Sequence, residues 1–348
     1  MIVDAHVHFV PPELTSSGGG ADPSRPVVRV EHGRQVGVSL AGREMGSIVG
    51  ELSRAEVVLE EAAAVGVDRM LLSPWVSTLP LRAEPDEASE ACRAINTAMS
   101  ATVAAHPDRL YGLGAVPMQS PEAAVGELAR AVSLGLAGVE ITASTGGVYL
   151  GDDRYRPFWE AAEELSALVF VHPTTKGMGM DVFDDHYLWN SVANPIETAV
   201  AGAQMVVSGV LERHRDLRVV LAHGGGVLPA LAGRLGRAYD VRPEARSRCS
   251  EPPAASMRRF YYDTVTHDAS LLAQLVAFAG ADHVVLGSDH PFDMGTERPV
   301  EAVRALGLAA DDEAAVLGGN VARLLGLEGG PGRRGRPGQA TRRADRGR

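Results

Sequence analysis

Two histidines stand two positions apart near the start of the chain. His6 and His8 lie in the segment Asp4-Ala-His-Val-His. In a β-strand, side chains at positions i and i+2 point to the same face, so both imidazoles can approach one point. Imidazole nitrogens are good ligands for Zn²⁺ and similar divalent ions. The spacing therefore predicts part of a metal site.

Three more side chains with metal-binding or proton-transfer chemistry follow other apolar runs. His172 closes Val-Phe-Val-His-Pro, His223 closes Leu-Ala-His-Gly-Gly-Gly, and Asp289 follows Val-Leu-Gly-Ser. Each also has a simpler interpretation: a buried histidine bonded to a carbonyl, a loop residue beside an anion-binding glycine turn, and a helix-capping aspartate. Their shared position at the ends of apolar runs favours a common site.

Eight short apolar runs alternate with helical stretches along the chain. The predicted strands cover residues 2–5, 69–73, 110–116, 138–141, 169–171, 219–222, 260–262 and 283–286. They are rich in Val, Ile and Leu, as is typical of parallel strands buried on both faces. The pattern predicts a (β/α)₈ TIM-like barrel, with a doubly wound open sheet as the alternative. In a barrel, the carboxyl ends of all strands lie at one rim.

Several of the helices carry start signals. Ser53 and Glu56 form a capping-box pattern that predicts a helix running to about residue 64. Ser120 and Asn194 each precede a proline, which is the pattern of an N-cap followed by Pro at the first helical position. Further helices are predicted over residues 87–105, 156–166, 269–279 and 312–325.

Two insertions follow predicted strands, and a tail follows the barrel. Residues 11–50 contain an alternating stretch that predicts a small hairpin around His32-Gly33, and residues 173–194 form the second insertion. Both follow strand ends, where barrel enzymes build lids and specificity loops. Residues 1–328 are predicted to form one metal-dependent barrel, and the Gly/Arg-rich residues 329–348 a disordered basic tail.

The charge balance and residue counts exclude several classes of protein. The net charge is −11, and the tail contributes +6 of positive charge, so residues 1–328 carry −17 and a nucleic-acid partner is not expected. The two cysteines are too few for a disulfide framework or a thiolate cluster. Lys176 is the only lysine and lies in a Gly-rich loop, which disfavours Schiff-base chemistry or a bridging lysine. No signal segment or long apolar run is present, so a cytoplasmic protein without a membrane partner is expected.

Four segments taken together resemble a known family. Asp4-Ala-His-Val-His-Phe, Val-His172-Pro, Ala-His223-Gly-Gly-Gly and Gly-Ser-Asp289-His-Pro-Phe, in this order, resemble the amidohydrolase superfamily and, within it, the aminocarboxymuconate-semialdehyde decarboxylase-like subgroup. The resemblance covers residues 1–327 and implies a metal-dependent, non-oxidative decarboxylase acting on a small unsaturated or aromatic carboxylic acid of the hydroxybenzoate or muconate type. By this likeness, the residues that match the ligands of one divalent ion, with Zn²⁺ expected, are His6, His8, His172 and Asp289.

The resemblance also implies roles outside the metal ligands. His223 matches the residue that activates a metal-bound water, and with Asp289 it forms the expected catalytic pair. Arg234 matches an arginine that reaches into the neighbouring subunit's site, so a homodimer is expected. Trp189 matches a loop aromatic residue beside the substrate. Arg43 is the predicted contact of the substrate carboxylate, although Arg25, Arg29 and Arg34 compete with it.

Some features depart from the family pattern, and other functions stay open. The family often has Tyr where this chain has His290, and Glu140 ends the fourth predicted strand, where a second metal could be bridged although the subgroup favours one. The same ligands suit a hydrolase of a lactone, amide or ester. A third hypothesis is a non-catalytic barrel that binds metal for structure alone.

Overall fold

The computed structural model describes residues 1–14, 27–31, 34–40, 43–44, 50–174 and 180–327. Of these, the ones between positions 27 and 51 are described by their backbone only. Lys176, the turn at His32-Gly33, and the competing Arg25 lie outside the described residues. The predicted basic tail at 329–348 also lies outside them.

Eight parallel strands form the central sheet, in the order of the chain. The barrel strands are β1 (Val3–Phe9), β5 (Arg69–Pro74), β6 (Leu110–Ala115), β7 (Gly138–Thr142), β10 (Leu168–His172), β11 (Arg218–Leu221), β12 (Tyr261–Asp263) and β13 (Val284–Val285). All eight overlap the predicted runs, and the predicted barrel is confirmed rather than the open sheet. Parallel neighbours joined by helical crossovers are what alternating strands and helices produce.

The sheet closes on itself between its first and last strands. The amide of Ala5 donates to the carbonyl of Leu286 at 2.8 Å, and the amide of His8 donates to the carbonyl of His290 at 2.8 Å. Between them, the amide of Asp289 donates to the carbonyl of His6 at 2.9 Å. The closing seam therefore ties the histidine pair to the segment that carries Asp289.

An irregularity in β1 turns the histidine pair into the barrel. The register with β5 shifts between Asp4 and Val7. Ala5 packs among apolar residues of several barrel strands, inside the barrel. Val7, two positions later, packs instead with the larger cluster that includes the surrounding helices. Such a bulge re-aims the side chains that follow it, so His6 and His8 both face inward.

Helices surround the barrel and shield its strands. They are α1 (Ala55–Ala64), α2 (Pro85–Ala105), α3 (Pro121–Ser133), α4 (Arg156–Glu164), α5 (Asn194–Val207), α6 (Val210–Arg213), α7 (Ala232–Val241), α8 (Pro253–Met257), α9 (Ala269–Ala279), α10 (Pro299–Arg304), α11 (Ala310–Ala314) and α12 (Asn320–Leu324). Helix α9 matches its predicted bounds, and Asp268 caps it by accepting from the amides of Ser270 and Leu271. None of the described helices is both long and apolar enough to cross a membrane.

Two of the three predicted helix starts were wrong, and one was confirmed. Ser53 ends a short 3₁₀ helix and Arg54 occupies the N-cap of α1, so the capping box does not form. Ser120 is the N-cap of α3 and Pro121 begins the helix, as predicted, although the Ser120 side chain makes no capping hydrogen bond. Asn194 lies inside a helical segment, because the π-helical turn Trp189–Ala193 runs directly into α5. A residue with helical neighbours on both sides has no free terminal amides to cap.

The predicted helix over residues 312–325 is divided. A π-helical turn at Ala315–Gly319 separates α11 from α12. There the backbone of Gly318 packs against the start of the chain: a Cβ on Gly318 would lie 2.3 Å from the carbonyl oxygen of Met1. The close approach explains why glycine occupies this turn.

Two small sheets lie beside the barrel. One consists of β2 (Val27–Glu31), β3 (Arg34–Leu40) and β4 (Arg43–Glu44), all antiparallel; the other pairs β8 (Ser144–Thr145) with β9 (Val148–Tyr149). The backbone pairing of β2 with β3 confirms the predicted hairpin in the first insertion. Arg43 begins β4, but its side chain lies outside the described residues.

Candidate active site and metal centre

Four of the predicted side chains meet at the carboxyl ends of the strands. Nε2 of His6 and Nε2 of His8 lie 3.1 Å apart. Oδ1 of Asp289 lies 3.3 Å from the first nitrogen and 3.1 Å from the second. Nε2 of His223 lies 3.4 Å from the other carboxylate oxygen, Oδ2. The carboxylate of Asp289 therefore stands between the histidine pair and His223.

His172 completes the group. Its ring centroid lies 4.9 Å from that of His8 and 5.2 Å from that of His223. One ligand atom from each of His6, His172, His223 and Asp289 falls within 4.8 Å of the others. The structure thus brings all five predicted residues to one point, and proximity alone does not decide which four hold an ion.

Asp263, at the end of β12, fixes two parts of the site at once. Its Oδ2 lies 2.7 Å from Nδ1 of His6 and accepts from the amide of His223 at 2.9 Å. Its Oδ1 accepts from the amide of Gly224 at 2.7 Å. Burial alone would raise the pKa of Asp263, but these bonds and the nearby imidazoles lower it, so the carboxylate form is favoured.

The backbone at two site residues adopts a conformation that is unusual for side chains other than glycine. His223 has φ 57° and Asp289 has φ 60°. Left-handed conformations cost energy for L-residues and persist at functional sites where the surroundings enforce them. The turn after His223 also requires glycine, because a Cβ on Gly226 would lie 1.9 Å from the carbonyl oxygen of Pro195. This geometry aims His223 across the barrel mouth at Asp289.

The buried charges are arranged to favour a negative carboxylate among neutral or cationic imidazoles. Burial would raise the pKa of Asp289, but His6, His223 and His8 hold it well below its usual range. Burial and the neighbouring imidazoles hold the pKa of His172 well below its usual range, so it is neutral. Burial opposes the charged form of His223, yet its hydrogen bond to Asp289 and that carboxylate's charge raise its pKa.

These donors fit a divalent ion. Oδ1 of Asp289 is buried and accepts no hydrogen bond within the described residues, although two imidazole nitrogens face it. Imidazole nitrogens that converge on a buried carboxylate oxygen are the donor set of a mononuclear zinc or related site. A single divalent metal fits this group of atoms.

Comparisons with known proteins place the chain in a family. The sequence pattern of the Amidohydrolase family matches residues 3–327. The chain belongs to the amidohydrolase family. It is 32% identical over 278 residues to 2-amino-3-carboxymuconate-6-semialdehyde decarboxylase of Dictyostelium discoideum, covering 78% of this chain and 77% of that protein. It is 28% identical over 288 residues to gamma-resorcylate decarboxylase of Rhodococcus jostii (strain RHA1), covering 75% and 84% respectively.

A solved structure has the same fold as this amidohydrolase. The dihydroxybenzoic acid decarboxylase of Polaromonas sp. JS666, with bound manganese and the inhibitor 2-nitroresorcinol, superposes with a TM-score of 0.76 at 22% identity, covering 94% of this chain and 98% of that chain. This likeness shows the shared fold. The sequence relatives confirm the predicted subgroup and the predicted class of reaction, a decarboxylation in the amidohydrolase superfamily.

Glu140 on β7 is a further carboxyl group inside the barrel of this amidohydrolase. It is 1% exposed, and neither of its oxygens has a hydrogen-bond partner within the described residues. Burial raises its pKa to about 7, with His8 opposing the rise. It is therefore placed among the site histidines without belonging to the group of atoms described above.

Helix α5 anchors the loop that follows His172. Glu197 is fully buried and accepts from the amide of Thr174 at 2.8 Å, from its hydroxyl at 2.7 Å, and from the hydroxyl of Ser144 at 2.9 Å. With its amide oriented to satisfy its neighbours, Asn194 donates to the carbonyls of Thr174 and Trp189. The segment between His172 and Trp189 is thus fixed at both ends to one helix.

The residues with predicted substrate roles lie in different surroundings. Trp189 is half-buried, with its ring 5.0 Å from that of Tyr187. Arg234 is exposed on α7. Nε2 of His290 lies 3.2 Å from Oε2 of Glu61. The roles of Trp189, Arg234 and Arg43 stay predictions.

Sequence reasoning missed Asp263. It follows the two tyrosines of a short strand in Tyr-Tyr-Asp-Thr, in the position that His172 and His223 occupy after their own strands. A search for every acidic side chain at a strand end would have found it.

Proposed function

We propose that this amidohydrolase removes carbon dioxide from an unsaturated or aromatic carboxylic acid of the hydroxybenzoate or muconate type, without net oxidation. The two sequence relatives reported above are named as decarboxylases of such acids. The roles of the site residues are assigned from the orientation of the Asp289 carboxylate. Its Oδ1 faces His6 and His8, and its Oδ2 faces His223.

This orientation of the Asp289 carboxylate supports His6, His8, His172 and Asp289 as the metal ligands. The side chains of His6 and His8 are both 0% exposed, as expected of ligands held beneath an ion. That of His223 is 16% exposed, so it is the imidazole that faces the cleft. His223 is therefore assigned to proton transfer rather than to metal binding.

Three neutral imidazoles and one carboxylate suit Zn²⁺, which we propose as the resident ion. When bound, the ion supplies positive charge that stabilises developing negative charge on oxygen and makes a bound water more acidic. Manganese is the alternative to be tested, since the Polaromonas structure contains it.

His223 holds and moves the proton in the proposed reaction. Asp289 lies 3.4 Å from its Nε2 and favours the imidazolium, so His223 can present a proton towards a substrate in the cleft. Protonation of the carbon that bears the carboxylate uses a π-electron pair of the substrate to form a C–H bond. The C–C bond then breaks, its electron pair restores the π system, and carbon dioxide leaves.

The substrate contacts are proposed from the family resemblance. We propose that Trp189 packs against the substrate and that Arg43 binds its carboxylate. Arg234 is exposed on α7, which supports a homodimer in which it serves the neighbouring subunit's site.

The test is carbon dioxide release from hydroxybenzoates and muconate-type acids by protein loaded with Zn²⁺ or with Mn²⁺. The metal-stripped protein is the control, and activity should return when the ion is restored. Base uptake with ring opening of a lactone, or cleavage of an ester or amide, would instead establish the hydrolase. Protein that binds metal tightly, unfolds without it and turns over neither class would establish the structural barrel.

A further inference from the structure

Glu140 is a buried carboxyl group that the proposed reaction does not use. It lies on β7 with both carboxylate oxygens buried and without a partner in the described part of the chain. Buried polar atoms in folded proteins nearly always bond to protein or to ordered water. A glutamate in the barrel interior therefore requires a donor.

Ser73 does not meet this requirement. It stands beside Glu140 and lowers the pKa of that carboxyl. Its hydroxyl, however, also faces the carbonyl oxygen of Val7 at 3.3 Å. A serine hydroxyl has a single proton to donate, so at least one oxygen of Glu140 remains for another donor.

His8 offers the matching donor. Its Nδ1 is buried and unbonded within the described residues. The corresponding nitrogens of the other two ligand histidines are both engaged: Nδ1 of His6 lies 2.7 Å from Asp263, and Nδ1 of His172 lies 2.9 Å from the carbonyl oxygen of Pro173. Metal-binding histidines almost always donate their second ring N–H to such an acceptor.

The barrel places Glu140 and His8 in the same part of the interior. His8 lies opposite Ser73 in the register of β1 with β5, and Ser73 stands beside Glu140. Ala115 on β6 lies opposite Glu140 in the strand register. Strand β6 stands between β7 and β5, and β5 pairs with the strand β1 that carries His8.

We propose that Glu140 is a positioning residue for His8, whose Nδ1 proton its carboxylate accepts through one buried water. The bond keeps Nε2 of His8 unprotonated and directed at the ion, so this inference rests on His8 being a ligand in the proposed function. A buried water with two to four polar partners is a regular part of protein interiors and replaces a direct bond at little cost.

The first test leaves Glu140 unchanged. Full-length Zn²⁺-loaded protein labelled with ¹⁵N-histidine is measured at neutral pH, and the His8 resonances are assigned by their loss in His8→Gln. The ¹⁵N shifts distinguish the two neutral tautomers. The proposal expects the Nδ1–H form for His8; the Nε2–H form would overturn it.

The second test measures metal affinity by competition with a chromophoric chelator. Glu140→Leu removes the acceptor at similar volume and is expected to raise the dissociation constant for Zn²⁺ by about 10–100-fold. Glu140→Gln keeps an acceptor oxygen but loses its charge, so a smaller rise than that of Glu140→Leu is expected. The matched control is Glu127→Gln, a buried glutamate bonded to Asn96 outside the barrel interior, which should leave the affinity unchanged.

Wild-type affinity and an unchanged His8 tautomer in Glu140→Leu would contradict the proposal. If that variant does not fold, the tautomer of the wild-type protein still decides. Neither measurement needs turnover. A protein that releases no carbon dioxide but shows the predicted affinity loss would refute the proposed function and leave the role of Glu140 standing.

Discussion

Nδ1 of His6 lies 2.7 Å from Oδ2 of Asp263, and neither side chain is exposed to solvent. The carboxylate also accepts from the backbone amides of His223 and Gly224. One residue thus sets the tautomer of a proposed metal ligand and the backbone of the proposed proton donor. Removing its charge should therefore affect both metal binding and proton transfer.

We predict that Asp263→Asn weakens Zn²⁺ binding by about 10–100-fold, because the amide is a weaker acceptor for the ring N–H of His6. Competition with a chelator measures the change, and denaturant unfolding shows whether the barrel is intact. Asp268→Asn is the matched control, since Asp268 lies five positions further on and only caps α9. Equal metal affinities in Asp263→Asn and the wild type would contradict the role of Asp263.

Replacing His8 or His223 by alanine should have different effects on metal content and turnover. His8→Ala is expected to lose the bound ion, because it removes one nitrogen that faces Oδ1 of Asp289. His223→Ala should retain one ion per chain while turnover falls by about 10²–10⁴-fold, the usual contribution of a general acid or base. Elemental analysis and carbon dioxide release on the same samples measure both quantities.

The opposite pattern would reverse the assignment. If His223→Ala loses the ion and His8→Ala keeps it, the ligands are His6, His172, His223 and Asp289, the four whose ligand atoms lie within 4.8 Å of one another. His8 would then need another function. Metal content therefore decides between two assignments that proximity leaves open.

Much of the barrel could be predicted from the sequence because its strands are short, apolar and buried on both faces. His172 and Asp289 could be singled out because polar residues after such runs lie at one rim. The sequence could predict that His6 and His8 lie on the same face of a strand, but not that this face points into the barrel. The bulge that directs it depends on pairing with β5, which no local pattern specifies.

The helix termini and Asp263 show where local patterns fail. Asn194 precedes Pro195, yet the preceding π-helical turn leaves no free amides for it to cap, and its side chain bonds to the loops instead. No local pattern distinguishes Asp263, because its importance arises from a contact with His6, 257 positions earlier in the chain. Such contacts follow from barrel closure, not from neighbouring residues.

Trp189 tests the proposed substrate contact. Its ring lies 5.0 Å from that of Tyr187 on the segment anchored by α5. We predict that Trp189→Ala raises KM by about 10-fold, because the substrate loses an apolar contact with the indole ring. A buried aromatic contact contributes about 1.4 kcal/mol to binding, which corresponds to a tenfold change. Trp189→Phe should recover most of the loss. Steady-state kinetics on the identified acid measure the effect, and an unchanged KM in Trp189→Ala would place the substrate elsewhere.

Glu212 on α6 predicts a pH dependence of stability that is independent of the metal centre. Its carboxylate accepts from the amide of Ser250 at 2.9 Å, from the Ser250 hydroxyl at 2.7 Å and from the amide of Glu251 at 2.8 Å. Burial alone would raise the pKa of Glu212, but these hydrogen bonds lower it below its ordinary value of 4.5. The folded state thus binds the proton less readily than the unfolded chain.

The stabilisation from Glu212 is consequently complete above pH 4.5 and is lost as the pH falls through the lowered pKa of the folded state. Glu212→Gln has no charge to titrate, so at neutral pH it should be less stable by roughly 1 kcal/mol, allowing for partial exposure to solvent. The difference from the wild type should narrow below pH 4.5. Urea unfolding at neutral and acid pH measures it, with Glu90→Gln on the exposed face of α2 as control; a difference that stays constant with pH would show that Glu212 contributes no charge-dependent stability.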